Sequence, residues 1–324
     1  FFPLNLPLYS TVLFAIVPSF FTKNLYLRPP ILIRGVIEQL FKTLGIKLIF
    51  SNINKFEMER SEFVSNYVSS SNVVIFTGTY KNSLELKNKL PKNILFLYNG
   101  AGINPIVVTD SADIKLAVSK TIEVKIFNSG QDCAGPDSIL VHHKVYNQFT
   151  KKLLDSLKRV RIGSYKVGEN VVGRLIDPKH LLFISKVLDE HKDNIIYGGT
   201  IDFARGIVFP TVIVSKIKEE RNYTEFFAPV FYLTLYDNDA DLSIYFNNSK
   251  YLEYAMYVSV FGKSDYLQKA EKSIILRNKI ILDIEEGNKE FGGYGSKSSF
   301  IALGNTVIPK PILISREIYN CLLK

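Results

Sequence analysis

The sequence predicts an α/β protein of two domains. Three observations carry that prediction: short apolar strands alternate with amphipathic helical runs, a glycine turn at Gly100-Ala101-Gly102 separates two such patterns, and 324 residues exceed one comfortable core. Alternation of this period implies a mostly parallel sheet with helices on both faces, and such sheets receive ligands at the carboxyl ends of their strands.

Residues Phe1 to Phe21 carry no charge and so resemble a membrane span or signal sequence. Pro3, Pro7 and Pro18 argue against one continuous spanning helix, and no basic region precedes the apolar run, so a buried strand, loop and helix is expected. The chain opens on Phe, not Met, so a fragment of a longer sequence is an expectation too. Strands are then expected at Asn24–Leu27, Lys47–Ser51, Asn72–Phe76 and Ile94–Tyr98, with helices over Ile31–Leu44, Phe56–Tyr67 and Lys81–Leu90. Beyond the glycine turn come a helix at Asp113–Ile126, a strand at Ser138–His142, and helices at Val145–Val160 and Lys179–Glu190. Strands follow at Ile207–Val214 and Val230–Tyr236, then a helix at Ala240–Phe246, a strand at Met256–Phe261, a helix at Tyr266–Leu276 and a strand at Lys279–Asp283. Pro311–Ile318 reads as an exposed strand that needs a partner.

Composition removes several function classes. The two cysteines, Cys133 and Cys321, lie far apart and suggest no disulfide framework, so a reducing, cytoplasmic setting is the default. The four histidines show no zinc spacing, and the neighbours His142 and His143 read as surface residues at a strand end. A net charge of +9 invites nucleic acid, but the lysines are scattered and the densest group, Lys158-Arg159-Val160-Arg161, is short. No nucleic-acid or membrane partner is therefore expected, and the basic field suits phosphate-bearing ligands. Neither a G-x-G-x-x-G fingerprint nor a G-x-x-x-x-G-K-[ST] loop occurs in the first half. Only Phe76-Thr77-Gly78-Thr79 forms a small glycine turn between a strand and a helix, where a phosphate can sit.

The chemistry centres on Phe127-Asn128-Ser129-Gly130-Gln131-Asp132-Cys133, which places a lone midchain cysteine in a polar turn before a strand. Free cysteine usually behaves as a small buried hydrophobe inside an apolar run. Cys133 has Gly130, Gln131 and Asp132 before it and Ala134-Gly135-Pro136 after it, the setting of an exposed thiol that can be activated.

Around this turn the chain resembles the aldehyde dehydrogenase superfamily along nearly its whole length. Pro3-Leu4-Asn5-Leu6-Pro7 is similar to the family's Pro-Trp-Asn-Phe-Pro, and Arg28-Pro29 stands where a Lys-Pro usually ends the next strand. Phe76-Thr77-Gly78-Thr79 resembles Phe-Thr-Gly-Ser, and Asn104-Pro105 with Asp110 and Ala112-Asp113 resembles the segment that opens the catalytic domain. The cysteine turn resembles the nucleophile motif, Gly173-Arg174-Leu175-Ile176-Asp177 resembles Gly-Pro-Leu-Ile-Asp, and Glu225-Phe226-Phe227-Ala228-Pro229-Val230 resembles Glu-Ile-Phe-Gly-Pro-Val. Phe291-Gly292-Gly293-Tyr294 completes the run.

The resemblance implies a Rossmann-type nicotinamide-binding domain over 1–101, a catalytic domain over 102–305 and a C-terminal oligomerisation strand or tail over 306–324. It implies Cys133 as nucleophile toward an aldehyde, Asn5 as oxyanion donor, and NAD or NADP as cofactor. Arg28, Phe76, Thr77, Gly78, Thr79, Glu225 and Phe227 would be the cofactor-binding residues, no metal would be needed, and the assembly would be a homodimer or homotetramer. The resemblance also implies a substantial segment before the Pro-Trp-Asn motif, with a hairpin that would pair with the C-terminal strand, and the expectation is that this sequence starts after it.

Two departures matter. Many hydrolytic members carry a glutamate base where this chain has Asn99, and an amide cannot take up a proton near neutral pH. Members that pass the acyl group to coenzyme A can carry asparagine there, so acyl transfer, reductive operation and a catalytically impaired protein with a binding role are the rivals. Many NAD-preferring members also carry a glutamate three residues after the strand-end lysine, where this chain has Ile31, so NADP joins NAD, helped by Arg28 or Arg34.

Overall fold

The structure is a computed structural model that describes residues 1–169, 171–269 and 272–323. It divides into two compact units, Phe1–Ala101 with Glu286–Lys324, and Gly102–Glu285.

The first unit holds a four-stranded sheet in the order Thr306–Pro309, Ser299–Leu303, Leu95–Asn99, Val73–Thr77. Val73–Thr77 and Leu95–Asn99 run parallel, and the other two pairings are antiparallel. Side chains alternate between faces along each strand. One face collects Val74, Phe76, Phe96, Tyr98, Phe300 and Ala302. The other collects Leu95, Leu97 and Ile301, covered by Ile314 and Ile318 of the helix Ile314–Leu322. Both faces are thus buried, as near-continuous apolar strands require. A separate parallel pair, Leu25–Leu27 with Ile53–Lys55, lies in the same unit.

The second unit is built on a seven-stranded sheet in the order Ile274–Arg277, Tyr257–Phe261, Ile106–Val108, Ser138–His142, Val230–Tyr236, Thr211–Lys216, Ile195–Tyr197. Every pairing is parallel except the last. The helix Ile114–Ile126 is capped by Asp113, whose carboxylate accepts the Leu116 N–H at 3.1 Å. It leads directly into the cysteine turn and from there into the central strand Ser138–His142.

Several expectations are corrected. No strand forms at the start of the chain: residues Pro7–Ser19 are helical, with a π-helical stretch at Val12–Ile16 just before Pro18. A proline supplies no N–H, and a wider turn absorbs the missing bond. No helix among the described residues is long and apolar enough to cross a membrane. Lys47–Ser51 is not a strand: Gly45, left-handed at φ 60°, ends one helix and Ile46–Ile49 begins another turn, with the strand following at Ile53–Lys55. Ile207–Val214 is split at Phe209-Pro210 into Ile207–Val208 and Thr211–Lys216 because proline cannot donate to a ladder.

Two copies of Ile-Ile-Leu, at 274–276 and 280–282, explain a further shift. The first forms the strand Ile274–Arg277, left-handed Asn278 (φ 53°) ends it, and Ile281–Asp283 is a 3-10 turn. Of the expected helix Tyr266–Leu276, Ala270 and Glu271 lie outside the described residues; Leu267–Lys269 is a 3-10 turn. Pro311–Ile318 is no strand either: Ile312 bridges Phe291, and the helix begins at Ile314, where a four-residue spacing buries Ile314 and Ile318 together. His142 is buried, and its Nδ1 accepts the Lys144 N–H at 3.2 Å as a helix cap.

Candidate active site

In the first unit, the candidate residues gather at the carboxyl ends of two parallel strands. Thr77 and Asn99 are register partners there. Thr77 Oγ1 and Asn99 Oδ1 are both buried without a hydrogen-bond partner, an unusual state for buried polar atoms. The Gly78 N–H donates to the Asn99 carbonyl at 3.3 Å, and the Tyr98 hydroxyl donates to the Gly78 carbonyl at 3.0 Å. Thr79 caps the helix Tyr80–Lys87 by accepting the Asn82 N–H at 3.3 Å. Phe76 is buried in the aromatic face, with the Arg60 guanidinium 5.8 Å from its ring centroid. Arg28, one residue past its strand, donates from Nε to the Met58 carbonyl at 2.8 Å. Burial, and then the charges of Arg34 and Arg60 against that of Glu59, push its guanidinium below the usual range. Asn5 is buried two residues before the helix Pro7–Thr11.

In the second unit, the chain leaves the helix Ile114–Ile126 through three consecutive left-handed residues, Asn128 (φ 48°), Ser129 (φ 58°) and Gly130 (φ 75°). Left-handed backbone costs a side-chain-bearing residue roughly 1–2 kcal/mol, and hydrogen bonds hold the turn in it. Asn128 Nδ2 donates to the Gln131 carbonyl at 3.2 Å, and the Gln131 N–H and Nε2 both return to the Asn128 carbonyl. Ser129 Oγ accepts the Gly173 N–H at 2.8 Å and is hydrogen-bonded to the Tyr165 hydroxyl. Gln131 Oε1 accepts the Ile176 N–H at 2.8 Å. The Gly173–Asp177 motif therefore serves as the backing of the cysteine turn.

Cys133 follows, half-buried rather than exposed. Its carbonyl accepts the Gly102 N–H at 3.2 Å and Asn104 Nδ2 at 3.0 Å, while Asn104 Oδ1 accepts the Tyr257 N–H at 3.2 Å. Asn104 thus ties the thiol segment to the sheet, a role its place in the Asn-Pro motif did not reveal. Burial pushes the Cys133 thiol well up from its ordinary range, and the charges of Asp132, Glu225 and Glu285 add to it; only its own backbone N–H works the other way. Burial likewise pushes Asp132 up to about 6, against the Ala134 N–H that its carboxylate accepts at 3.1 Å. The surroundings thus favour the neutral thiol over the more reactive thiolate.

Glu225 and Phe227 lie on a turn before the strand Val230–Tyr236, with Phe227 left-handed at φ 50°. Glu225 Oε1 is buried without a hydrogen-bond partner. Burial, and then the charge of Asp137, raise Glu225 well above the carboxylate range, and Lys125 opposes them. His180 bonds the Phe226 carbonyl through a ring nitrogen at 2.6 Å. Among the described residues no group of three or more His, Cys, Asp or Glu could hold a metal ion.

The acidic surroundings give a measurable expectation. Iodoacetamide labelling of Cys133, followed by peptide mapping, should keep rising with pH beyond 9. Asp132→Asn keeps an oxygen for the Ala134 N–H and removes the largest charge acting on the thiol, so labelling near pH 8 should quicken by about tenfold. A carboxyl raised in the folded state stabilises below its unfolded value, and that stability is lost as pH rises through the folded value of about 6. The variant should therefore gain on the order of 3 kcal/mol above that pH. Labelling that levels off below pH 8 in the unaltered protein would contradict the electrostatic account.

The family model described as the aldehyde dehydrogenase family matches residues 68–302. A lactaldehyde dehydrogenase of Methanococcus maripaludis strain C7 is 28% identical over 265 residues, which are 77% of this chain and 55% of that protein. A dimeric NADP-preferring aldehyde dehydrogenase of Mus musculus is 30% identical over 205 residues, 60% of this chain and 43% of that one. The chain spans about half the length of these curated relatives. Among solved structures, the lactaldehyde dehydrogenase from Escherichia coli superposes with a TM-score of 0.71 at 18% identity, covering 90% of this chain and 64% of that one. The structure of PnpE in complex with nicotinamide adenine dinucleotide gives 0.75 at 18% identity, covering 87% and 60%. At such identity these likenesses speak for the fold.

Proposed function

The chain belongs to the aldehyde dehydrogenase family, and from that premise we propose that it oxidises an aldehyde through a covalent adduct on Cys133, with NAD or NADP as electron acceptor. The observation that carries the reading is the cysteine turn, where three left-handed residues and a set of side-chain hydrogen bonds fix the backbone just before a single half-buried thiol. Strain held in this way is characteristic of functional sites.

In this reading the Cys133 sulfur adds to the aldehyde carbon and the thiol proton ends on the former carbonyl oxygen, giving a thiohemiacetal. The Cys133 backbone N–H serves as a donor to that oxygen while it carries charge, and the family resemblance implies the Asn5 amide as a second donor. A nicotinamide held here would supply the two-electron acceptor for the hydrogen on that carbon. Release of the hydroxyl proton to solvent would complete that oxidation and leave an acyl thioester on Cys133.

The residues present fit such a cofactor. Thr77 Oγ1 and Asn99 Oδ1 in the first unit and Glu225 Oε1 in the second are buried polar atoms with bonding capacity left over. Glu225 and Phe227 would hold the nicotinamide riboside, and Phe76, Thr77, Gly78 and Thr79 would face the phosphates. Arg28, whose guanidinium feels those of Arg34 and Arg60, supports acceptance of a 2′-phosphate. The reading includes assembly as a homodimer or homotetramer.

Asn99 favours a second reading for the release step. Its buried amide can donate and accept hydrogen bonds but cannot take a proton from water, so the acyl group passes to the thiol of coenzyme A rather than to water. A panel of aldehydes with NAD or NADP, with and without coenzyme A, tests both readings. The acyl-transfer reading expects one equivalent of reduced nicotinamide per Cys133 with water alone and steady turnover with coenzyme A. Steady turnover in water would restore hydrolysis, and no burst with any aldehyde would leave a binding role.

A further inference from the structure

The second unit contains a buried ion pair that the cysteine chemistry does not use. Lys125 Nζ lies 2.7 Å from Asp137 Oδ1, with side-chain exposures of 1% and 6%. Two charges out of water are costly to keep, and breaking such a pair is costlier still. Its packing value alone is therefore weak justification, and what else it touches matters.

Asp137 stands four residues after Cys133 and immediately before the central strand Ser138–His142. The same Oδ1 that binds Lys125 also accepts the Phe226 N–H at 3.0 Å. Phe226 is the middle residue of the Glu225–Phe227 turn, and its ring centroid lies 6.0 Å from Lys125 Nζ. Asn222 completes the connection: its Nδ2 donates to the Asp137 carbonyl at 3.2 Å and to the Thr224 carbonyl at 2.9 Å, while its Oδ1 accepts the Thr224 N–H. The stretch that follows the nucleophile is thus joined through one carboxylate to the turn that carries Glu225.

We propose that Asp137, held in place by Lys125, is a positioning residue that pins the Glu225–Phe227 turn to the Cys133 segment and so seats Glu225 for the nicotinamide riboside. The inference rests on the dinucleotide reading above. Asp137 touches neither substrate nor cofactor; it acts through the Phe226 N–H. Lys125 Nζ, 2.7 Å from the same oxygen, keeps the side chain aimed at that N–H. The pinned turn begins with Glu225, whose Oε1 has no hydrogen-bond partner in the protein, so the backbone of the turn bears on where that oxygen sits.

Removing one charge alone would leave the other buried and endanger the fold, so two uncharged pairs provide the test. Lys125→Met with Asp137→Asn keeps a side-chain oxygen for the Phe226 N–H; Lys125→Met with Asp137→Leu does not. Each full-length double variant is compared with the unaltered protein by thermal melting, by hydrogen exchange over 222–229, and by fluorescence titration with NADH and NADPH. The Asn pair is expected to match the unaltered protein in exchange and in dinucleotide affinity. The Leu pair should melt as a folded protein, exchange faster across 222–229 and bind dinucleotide about tenfold more weakly. Equal exchange and equal affinity in the two folded pairs would overturn the proposal. If the unaltered protein binds neither dinucleotide, the cofactor reading falls with it, while exchange over 222–229 still decides whether Asp137 pins the turn.

Discussion

Replacing Cys133 with alanine should reduce the formation of reduced nicotinamide by about 10⁴-fold or more, because a covalent route loses its bond-forming atom. The substitution removes one sulfur from a half-buried side chain whose backbone contacts, from Gly102 and Asn104 to the Cys133 carbonyl, are independent of it. The fold should therefore persist, and dinucleotide binding with it. The decisive comparison is a burst measurement beside a dinucleotide titration on the same preparation. A Cys133→Ala protein that still reduces cofactor at the original rate would remove the covalent mechanism, whatever the family relationship.

Gly130→Ala should cost about 3 kcal/mol or more in stability and take most of the activity with it. Two independent effects add. Gly130 sits at φ 75°, a conformation that L side chains rarely adopt. A Cβ built there would also lie 2.4 Å from both the carbonyl carbon and the oxygen of Ala228. Those are backbone atoms and cannot rotate away, so either the cysteine turn or the segment after Phe227 must move. A displacement of about 1 Å at a reacting group costs on the order of a hundredfold in rate. Urea unfolding measures the first effect and the burst assay the second. A variant with an unshifted unfolding midpoint would show that the contact is slack.

Central elements were legible because their signals were redundant. Ser138–His142 and Val230–Tyr236 were read to the residue: each is a compact apolar run fully hemmed by neighbouring strands. The resemblance to the aldehyde dehydrogenase family was legible too, through motif order, and the family comparison agrees with it. Where two answers shared one composition, reading failed. Ile46-Lys47-Leu48-Ile49 suits a strand or a helical turn equally, and only the left-handed Gly45 decides. The tail over Pro311–Ile318 was read as an exposed strand, whereas the spacing of Ile314 and Ile318 serves a helix.

At the site, part of the charge around Cys133 comes from Glu225 and Glu285, which lie far along the chain and are invisible locally. Lys125 was overlooked for a different reason. A lysine near a helix end is usually solvated, yet Val118, Thr121 and Lys125 fall on one stripe of the helix, together with Ala117 and Val124, and that stripe is buried. A charge on an apolar stripe was the available signal for its buried partner, Asp137.

The chain order of the first unit bears on how the protein is made. Its sheet joins Leu95–Asn99 to Ser299–Leu303, so the whole of Gly102–Glu285 is synthesised between two adjacent strands. As the chain emerges from the ribosome, one edge of Leu95–Asn99 stays uncapped while every residue of the inserted unit is produced. The inserted unit has all seven strands of its own sheet in hand before that edge is closed. Nascent protein thus passes through a period in which one sheet is complete and the other still offers an open, apolar rim, the kind of surface that chaperones hold and that aggregation exploits.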